Sequence, residues 1–420
     1  MLCMRTCRDD KINHEESPVL REGFTTGTAA CAAALAALDF LLKKTVPPCM
    51  EVPLPPFREV PTRGLLARAR LSVPVLGCHA GFPKEFSAGE REKLCPPGCL
   101  VTTGVVRKDA GDDPDVTHRA LIQASVIAKE EVRHLSPSTA LQNNHPLSWQ
   151  ECEQIMIRGG PGIGKITLPG LPLPVGEWAI NPVPRLQIRY ALAERFHALT
   201  SLLPPLTVVL SVPDGENLTH KTFNPRLGII GGISILGTHG VVKPYSHAAF
   251  TATIKEELSL AKALGLSRLF FATGRRSERL LRQRFPEDRP EAFIQVADCA
   301  ASALLNARKL GFSSLFFGCF IGKLVKFSQN ILSTHARESQ LDLRRLALDC
   351  SRLGLACAAE IEGAATAALA LEYILHDPRA DSAVTWLTRR AQAVLTEKAQ
   401  QKVEICLFHT DGRLLADTSR

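Results

Sequence analysis

The chain reads as an N-terminal α+β unit with short strands over residues 18–204, then an α/β unit built on a parallel sheet over 205–340. A helical region with a closing hairpin follows over 341–420. Three observations give this division. Pro47, Pro48, Pro53, Pro55, Pro56 and Pro61 forbid long helices early in the chain, leaving short strands between turns. From Thr207 apolar strands alternate with helical stretches, the pattern of a parallel sheet covered on both faces. Beyond Leu341 the sequence is rich in Ala and Leu at helical spacing.

Taken in order, residues 1–17 are polar and predict no element. An Ala-rich helix is expected over 27–43, opened by Thr25-Thr26-Gly27-Thr28. Short segments at 50–54, 64–71, 99–107, 118–128 and 152–158 follow, with 74–98 read as an inserted loop. Five prolines make 169–184 a stiff, extended passage, and a helix is expected over 186–203. The strands of the second unit are expected at 207–212, 240–242, 268–274, 293–296 and 314–318, with helices over 247–264, 277–284 and 299–310 between them. Gly274 and Gly318 then fall at C-terminal strand ends, where ligands of such sheets sit. Two or three helices fill 341–400, and 403–416 reads as a hairpin through Asp411-Gly412.

Hydrophobic residues make up 45% and charged residues 22%, the balance of a soluble enzyme. The net charge of +8 is spread out, which suits a small anionic substrate and argues against nucleic acid. Three Trp and three Tyr supply too few stacking platforms for single strands. The first ten residues lack an apolar signal core, and the apolar stretch 28–42 is too short to span a bilayer. A cytoplasmic protein with no membrane contact is expected. Thirteen scattered cysteines fit reduced thiols. Cys95 and Cys99 have zinc-like spacing, but their companions Cys78 and His79 are adjacent and ligate together poorly, so no protein-bound metal is expected.

The densest chemical cluster is 108–118, where Asp109, Asp112, Asp113 and Asp115 sit with Lys108, Thr117 and His118 around Gly111 and Pro114. Crowded acids repel unless they share a cation or a proton, which makes Asp109, Asp112, Asp113 and His118 the candidate acid–base residues. The plainer reading is a solvated turn with Asp113 capping a helix. Gly159–Lys165 nearly spells a phosphate loop, but Ile166 replaces the magnesium-binding hydroxyl, and Pro169, Pro172 and Pro174 deny it a helix. The segment 228–240 is dense in glycine without dinucleotide spacing; Gly231, Gly232 and Gly237 allow close backbone approach to a ligand. Asn181 and Arg185, and likewise Asn224 and Arg226, flank prolines in stiff segments and offer guanidinium forks to carboxylates. Lys323 and His335 lie near the end of the last strand of the second unit.

Six blocks appear in one order: 24–34, 108–117, 169–177, 179–185, 221–237 and 322–326. On them the chain resembles the cobalt-precorrin-5B C1-methyltransferases, the D protein of the anaerobic cobalamin pathway, from about residue 20 onward. The resemblance implies two α/β domains, one of them Rossmann-like. It also implies methyl transfer from S-adenosylmethionine to ring carbon C-1 of an anionic cobalt corrinoid, with the cobalt carried by the substrate. On that implication Gly231, Gly232, Gly237, Gly274 and Gly318 are the cofactor-binding candidates. Thr25, Thr26, Asn181, Arg185, Asn224, Arg226, Lys323 and His335 are the substrate-binding candidates. Transient contact with neighbouring pathway enzymes and a homo-oligomer are compatible with it. Arg119 stands where the family commonly has Gly, and the 74–98 insert looks peculiar to this chain. Two other readings stay open at this point: a non-catalytic tetrapyrrole carrier on the same fold, and a phosphoryl-transfer enzyme using the acidic turn for magnesium.

Overall fold

The computed structural model describes residues 20–60, 64–134, 149–197, 204–334 and 340–419. The first unit is organised around α1 (Thr26–Lys43), whose alanines give it little side-chain bulk. Thr25 caps it by accepting a hydrogen bond from the Thr28 amide at 3.2 Å, and Lys44 ends it in the left-handed region at φ 60°. This helix has the length and apolar composition to cross a bilayer, longer than the 28–42 stretch expected, yet 83% of it is buried in protein. It lies on a sheet of β1 (Gly77–Ala80), β2 (Cys99–Arg107), β3 (Leu121–Lys129), β4 (Ile155–Gly159) and β5 (Leu206–Ser211), in the order β1-β2-β3-β5-β4. Only the β5–β4 pair is parallel. Gly104 on β2 makes the close approach possible, because a side chain there would collide with the backbone of α1 at Ala33.

The second unit carries a sheet of β6 (Arg268–Ala272), β7 (Phe293–Gln295), β8 (Ser314–Phe320), β9 (Val403–Phe408) and β10 (Leu414–Asp417), in the order β7-β6-β8-β9-β10. The first four are parallel and β10 returns antiparallel. Stacked Phe270, Phe293 and Phe316 cover one face, with ring centroids 4.6 and 5.0 Å from Phe270. The chain runs from β6 to β7 on one side and then to β8 on the other, so the strand order reverses between β6 and β8. Helices α3 (His247–Ala263), α4 (Arg275–Arg284), α5 (Ala300–Lys309) and α6 (Ile321–Ser328) belong to this unit. So do α7 (Leu343–Arg352), α8 (Ala358–Glu362), α9 (Ala367–His376) and α10 (Ala380–Ala399).

Several expectations shift. The strand read as the start of the second unit is β5, and it completes the first sheet; an apolar strand does not announce its partner. Val241–Val242 likewise pairs with Gly23–Phe24 of the first unit. The change of unit therefore falls at 243–246 rather than at 205. Helix α2 (Pro182–His197) starts earlier than expected, because Pro182 and Pro184 sit in its first turn, where no amide partner is needed. The 74–98 segment is not a plain loop: it gives edge strand β1 and the helix Ala88–Leu94, capped by Ser87 and Glu90. The closing hairpin forms, but its first strand extends the parallel sheet. Arg119 adopts φ 65°, a conformation that favours glycine.

Candidate functional site

The acidic turn joins β2 to β3, and its carboxylates do not crowd around a shared cation. Each has its own partner. Asp115 takes the Lys108 ammonium at 2.6 Å, and its other oxygen accepts from the amide and hydroxyl of Thr117 at 2.7 Å. Lys108 is only 1% exposed. Burial pushes the Asp115 carboxyl up, but Lys108 and Thr117 together leave it below the usual carboxylate range. Asp109 is forked by Arg21, which holds it below the usual range, and also accepts from the Gly111 amide. Asp112 accepts from the Arg21 amide at 2.6 Å. Asp113 accepts from the Tyr245 amide at 2.8 Å and so fastens the turn to the connection between the units. It caps no helix.

Nδ1 of His118 accepts from the Ala110 amide at 3.1 Å, which places the ring proton on Nε2 and makes the neutral ring a donor outward. Both Asp109 oxygens are engaged by Arg21 and Gly111. Among the described residues, Asp112 and Asp113 each keep one oxygen with no protein partner.

The five candidate glycines divide in two. At Gly232, Gly237 and Gly318 a side chain would strike Gly162, Thr25 and Leu281 respectively, so these are packing positions. Gly318 is inside β8, not at its end. At Gly231 and Gly274 nothing lies within 4 Å of where a side chain would begin. Gly274 follows β6, at the reversal of strand order, and heads α4.

The candidate substrate-binding side chains are largely occupied within the protein. Thr25 caps α1. Thr26 donates toward Leu236 O at 3.2 Å and accepts from the Leu236 amide at 2.9 Å, tying α1 to the glycine-dense segment. Asn224 donates to Gly232 O and accepts from Ser234. The Asn181 backbone joins Ile235 to Arg185. Arg185 donates to Ile180 O at 2.7 Å, to Trp178 O and to Glu177. Lys323 pairs with Asp298 and Thr334. His335 lies outside the described residues.

Arg226 departs most from expectation. Its guanidinium donates to Glu257 at 2.6 Å, to both oxygens of Glu278 at 2.9 and 3.0 Å, and to Phe293 O at 2.6 Å. It is a strut between the 221–227 segment and three elements of the second unit. Arg226 and Arg282 together match the charge of Glu257 and Glu278, but burial pushes Glu257 up to about 7.

Beside this strut is a cavity of about 520 Å³ between the two units. Lys221, Phe223 and Arg226 line it from one side; Arg275, Arg279, Arg282 and Gln295 line it from the other. Sequence reasoning missed the arginines of α4. The signal was present in Arg275-Arg276-Ser277-Glu278-Arg279-Leu280-Leu281-Arg282-Gln283-Arg284, where five of ten residues are arginine directly after a strand-end glycine. Among the described residues no group of three or more His, Cys, Asp or Glu is arranged to hold a metal; Cys95 instead leans its thiol toward Cys99 O.

A family model described as CbiD matches residues 13–67 and 97–244, and one described as the CbiD C-terminal domain matches 333–419. The gap at 68–96 contains most of the inserted segment. The chain is 43% identical to the cobalt-precorrin-5B C(1)-methyltransferase of Nitratidesulfovibrio vulgaris over 94% of this chain and 91% of that protein. It is 38% identical to the protein of the same name from Geobacillus kaustophilus, over 84% of this chain and 82% of that protein. Among solved structures it is similar to a cobalamin biosynthesis protein, cbiD, from Archaeoglobus fulgidus, at 26% identity, 76% and 84% coverage and a TM-score of 0.32. At this identity over nearly its whole length, the chain belongs to the CbiD family.

Proposed function

We propose that this chain is a C-methyltransferase that methylates C-1 of cobalt-precorrin-5B in corrin-ring construction. The observation that carries this reading is the 43% identity to a cobalt-precorrin-5B C(1)-methyltransferase across 94% of the chain. In the reaction a sulfur–methyl bond breaks, a carbon–carbon bond forms at C-1, and the ring gives up a proton. S-adenosylmethionine supplies the methyl group as an electrophilic sulfonium.

The C-terminal edge of the second sheet fits such a donor. Gly274 leaves open space at the strand reversal, and the first amides of α4 suit the carboxylate of an amino-acid-bearing ligand. The protein's task is then positioning in line, which lowers the barrier without strong acid–base help. For the ring proton we assign Asp112 and Asp113 as the acceptor candidates, since each keeps an uncommitted oxygen while Asp109 and His118 are engaged. The turn connects to the cavity through Tyr245 and the first turn of α3, where Phe250 meets Phe223 edge-on at 6.3 Å.

The test is incubation of the purified chain with cobalt-precorrin-5B and methyl-labelled S-adenosylmethionine, followed by carbon NMR. Label at C-1 supports the reading; tight binding of the corrinoid without label transfer shows a carrier instead. In the same assay one of Asp112→Asn and Asp113→Asn is expected to bind both ligands and lose turnover about a hundredfold.

A further inference from the structure

We propose that the cavity between the 221–226 segment and α4 is a subsite for several carboxylates at once, holding the acidic side arms of the acceptor macrocycle. The proposal rests on the methyltransferase reading for the identity of that acceptor. Arg275, Arg279 and Arg282 recur at four- and three-residue intervals, so they share one face of α4 and span about 10 Å along it. Lys221 lines the same cavity.

Among the described residues Lys221, Arg275 and Arg279 have no acidic partner, and all three are exposed. Glu278, the one acid lining the cavity, is already engaged by Arg226, Arg282 and Gln295. The cavity therefore carries a net positive charge with no free carboxylate to oppose an anion. Unpaired cations one helical turn apart destabilise a helix by a few tenths of a kcal/mol, so their clustering has no structural benefit of its own. An anion that bridges them would remove that repulsion.

The spacing selects the ligand class. A single carboxylate engages one guanidinium fork. Cations spread over about 10 Å on α4, with Lys221 in the same lining, match a ligand whose carboxylates are distributed along an edge. Phe223 supplies an apolar wall for its ring. The cavity also begins at Arg275, the residue after Gly274, so arms held there would place the ring next to the strand-end position assigned to the donor.

The experiment is an absorbance titration of the full-length protein with two corrins, cobyrinic acid, whose arms are carboxylates, and cobinamide, whose arms are amides. Cobyrinic acid is expected to bind and cobinamide to bind far more weakly. The double variant Arg275→Gln/Arg279→Gln should lower cobyrinic acid affinity about tenfold, two partly exposed charge contacts being removed. The variant Arg344→Gln/Arg352→Gln, which removes equal charge from the exposed face of α7, should leave it unchanged.

Equal losses in both variants would mean a general electrostatic field and would overturn the proposal. So would equal binding of the two corrins, or displacement of cobyrinic acid by inorganic triphosphate at matched concentration, which would mark a general anion site. Methyl transfer separates this inference from the reading it rests on. Turnover with an unchanged KM for the corrinoid in the α4 variant sinks the subsite alone. Arginine-dependent cobyrinic acid binding without methyl transfer by the wild-type chain sinks the methyltransferase reading alone.

Discussion

The acidic turn and helix α4 are both dense in charge, and they are used in opposite ways. In the turn every aspartate is tied to a neighbour: Asp109 to Arg21, Asp112 to the Arg21 amide, Asp113 to Tyr245 and Asp115 to the buried Lys108. On α4 the acid is neutralised and Arg275 and Arg279 stay unpaired beside a cavity. Charge density alone pointed to the turn. What distinguishes a binding face is charge left over after the protein's own pairs are made, and that lies on α4.

This contrast can be broken by substitution. The largest effect is expected at Asp115→Asn, which strands the Lys108 ammonium in a nearly closed site. Unfolding in urea should show a loss of about 3 kcal/mol; a loss below the size of a surface substitution would mean that the turn is held by something else. Arg226→Met comes next, leaving Glu257 buried without its cation and Glu278 with Arg282 alone. A loss of about 2–3 kcal/mol is expected, together with faster proteolytic cleavage at 243–246. Unchanged proteolysis would deny Arg226 its role as a strut between the units.

Arg119→Gly should work in the opposite direction. Its φ of 65° is strained for any side chain, so the turn should gain about 0.5–1 kcal/mol, read as a higher Tm.

Glu257 gives a pH signature. In the folded chain it keeps its proton to about pH 7, and in the unfolded chain only to the ordinary glutamate range. Between those values the folded state binds more protons, so this group's contribution to stability falls as pH rises. Glu257→Gln should therefore gain in Tm relative to wild type between pH 5 and pH 8. A constant difference would show that Glu257 is ionised throughout. The smallest effect sharpens the contrast from the other side: Arg275→Gln/Arg279→Gln should shift stability by no more than about 0.5 kcal/mol.

The sequence shows what is decided locally. Helix α1 is legible because its cap and its alanines are contiguous, and the parallel alternation from Arg268 to Phe320 is legible for the same reason. Strand β5 was assigned to the wrong sheet because nothing within 206–211 records that its neighbours are β3 and β4. The protein partners of Arg185 and Arg226 were not legible for a related cause. A guanidinium beside an Asn-Pro or Pro pair looks free until Trp178 O, Glu257 and Glu278 arrive from elsewhere in the chain. The strain at Arg119 was visible only as a departure from a glycine, and the structure supplies its reason. The arginines of α4 were in plain sight, yet their cavity requires Lys221 and Phe223 from the other unit.

β8 is flanked by β6 on one side and by β9 on the other, and β9 begins at Val403. The first unit has all its strands by Val242 and can condense while the ribosome is still making the remainder. The second must wait, with the long apolar edge of β8 uncovered, until more than eighty further residues have been added after Phe320. A nascent or truncated chain stopping near residue 340 presents that edge to other chains. Aggregation of such fragments is the expected fate, and a chaperone that shields the edge would act during this interval.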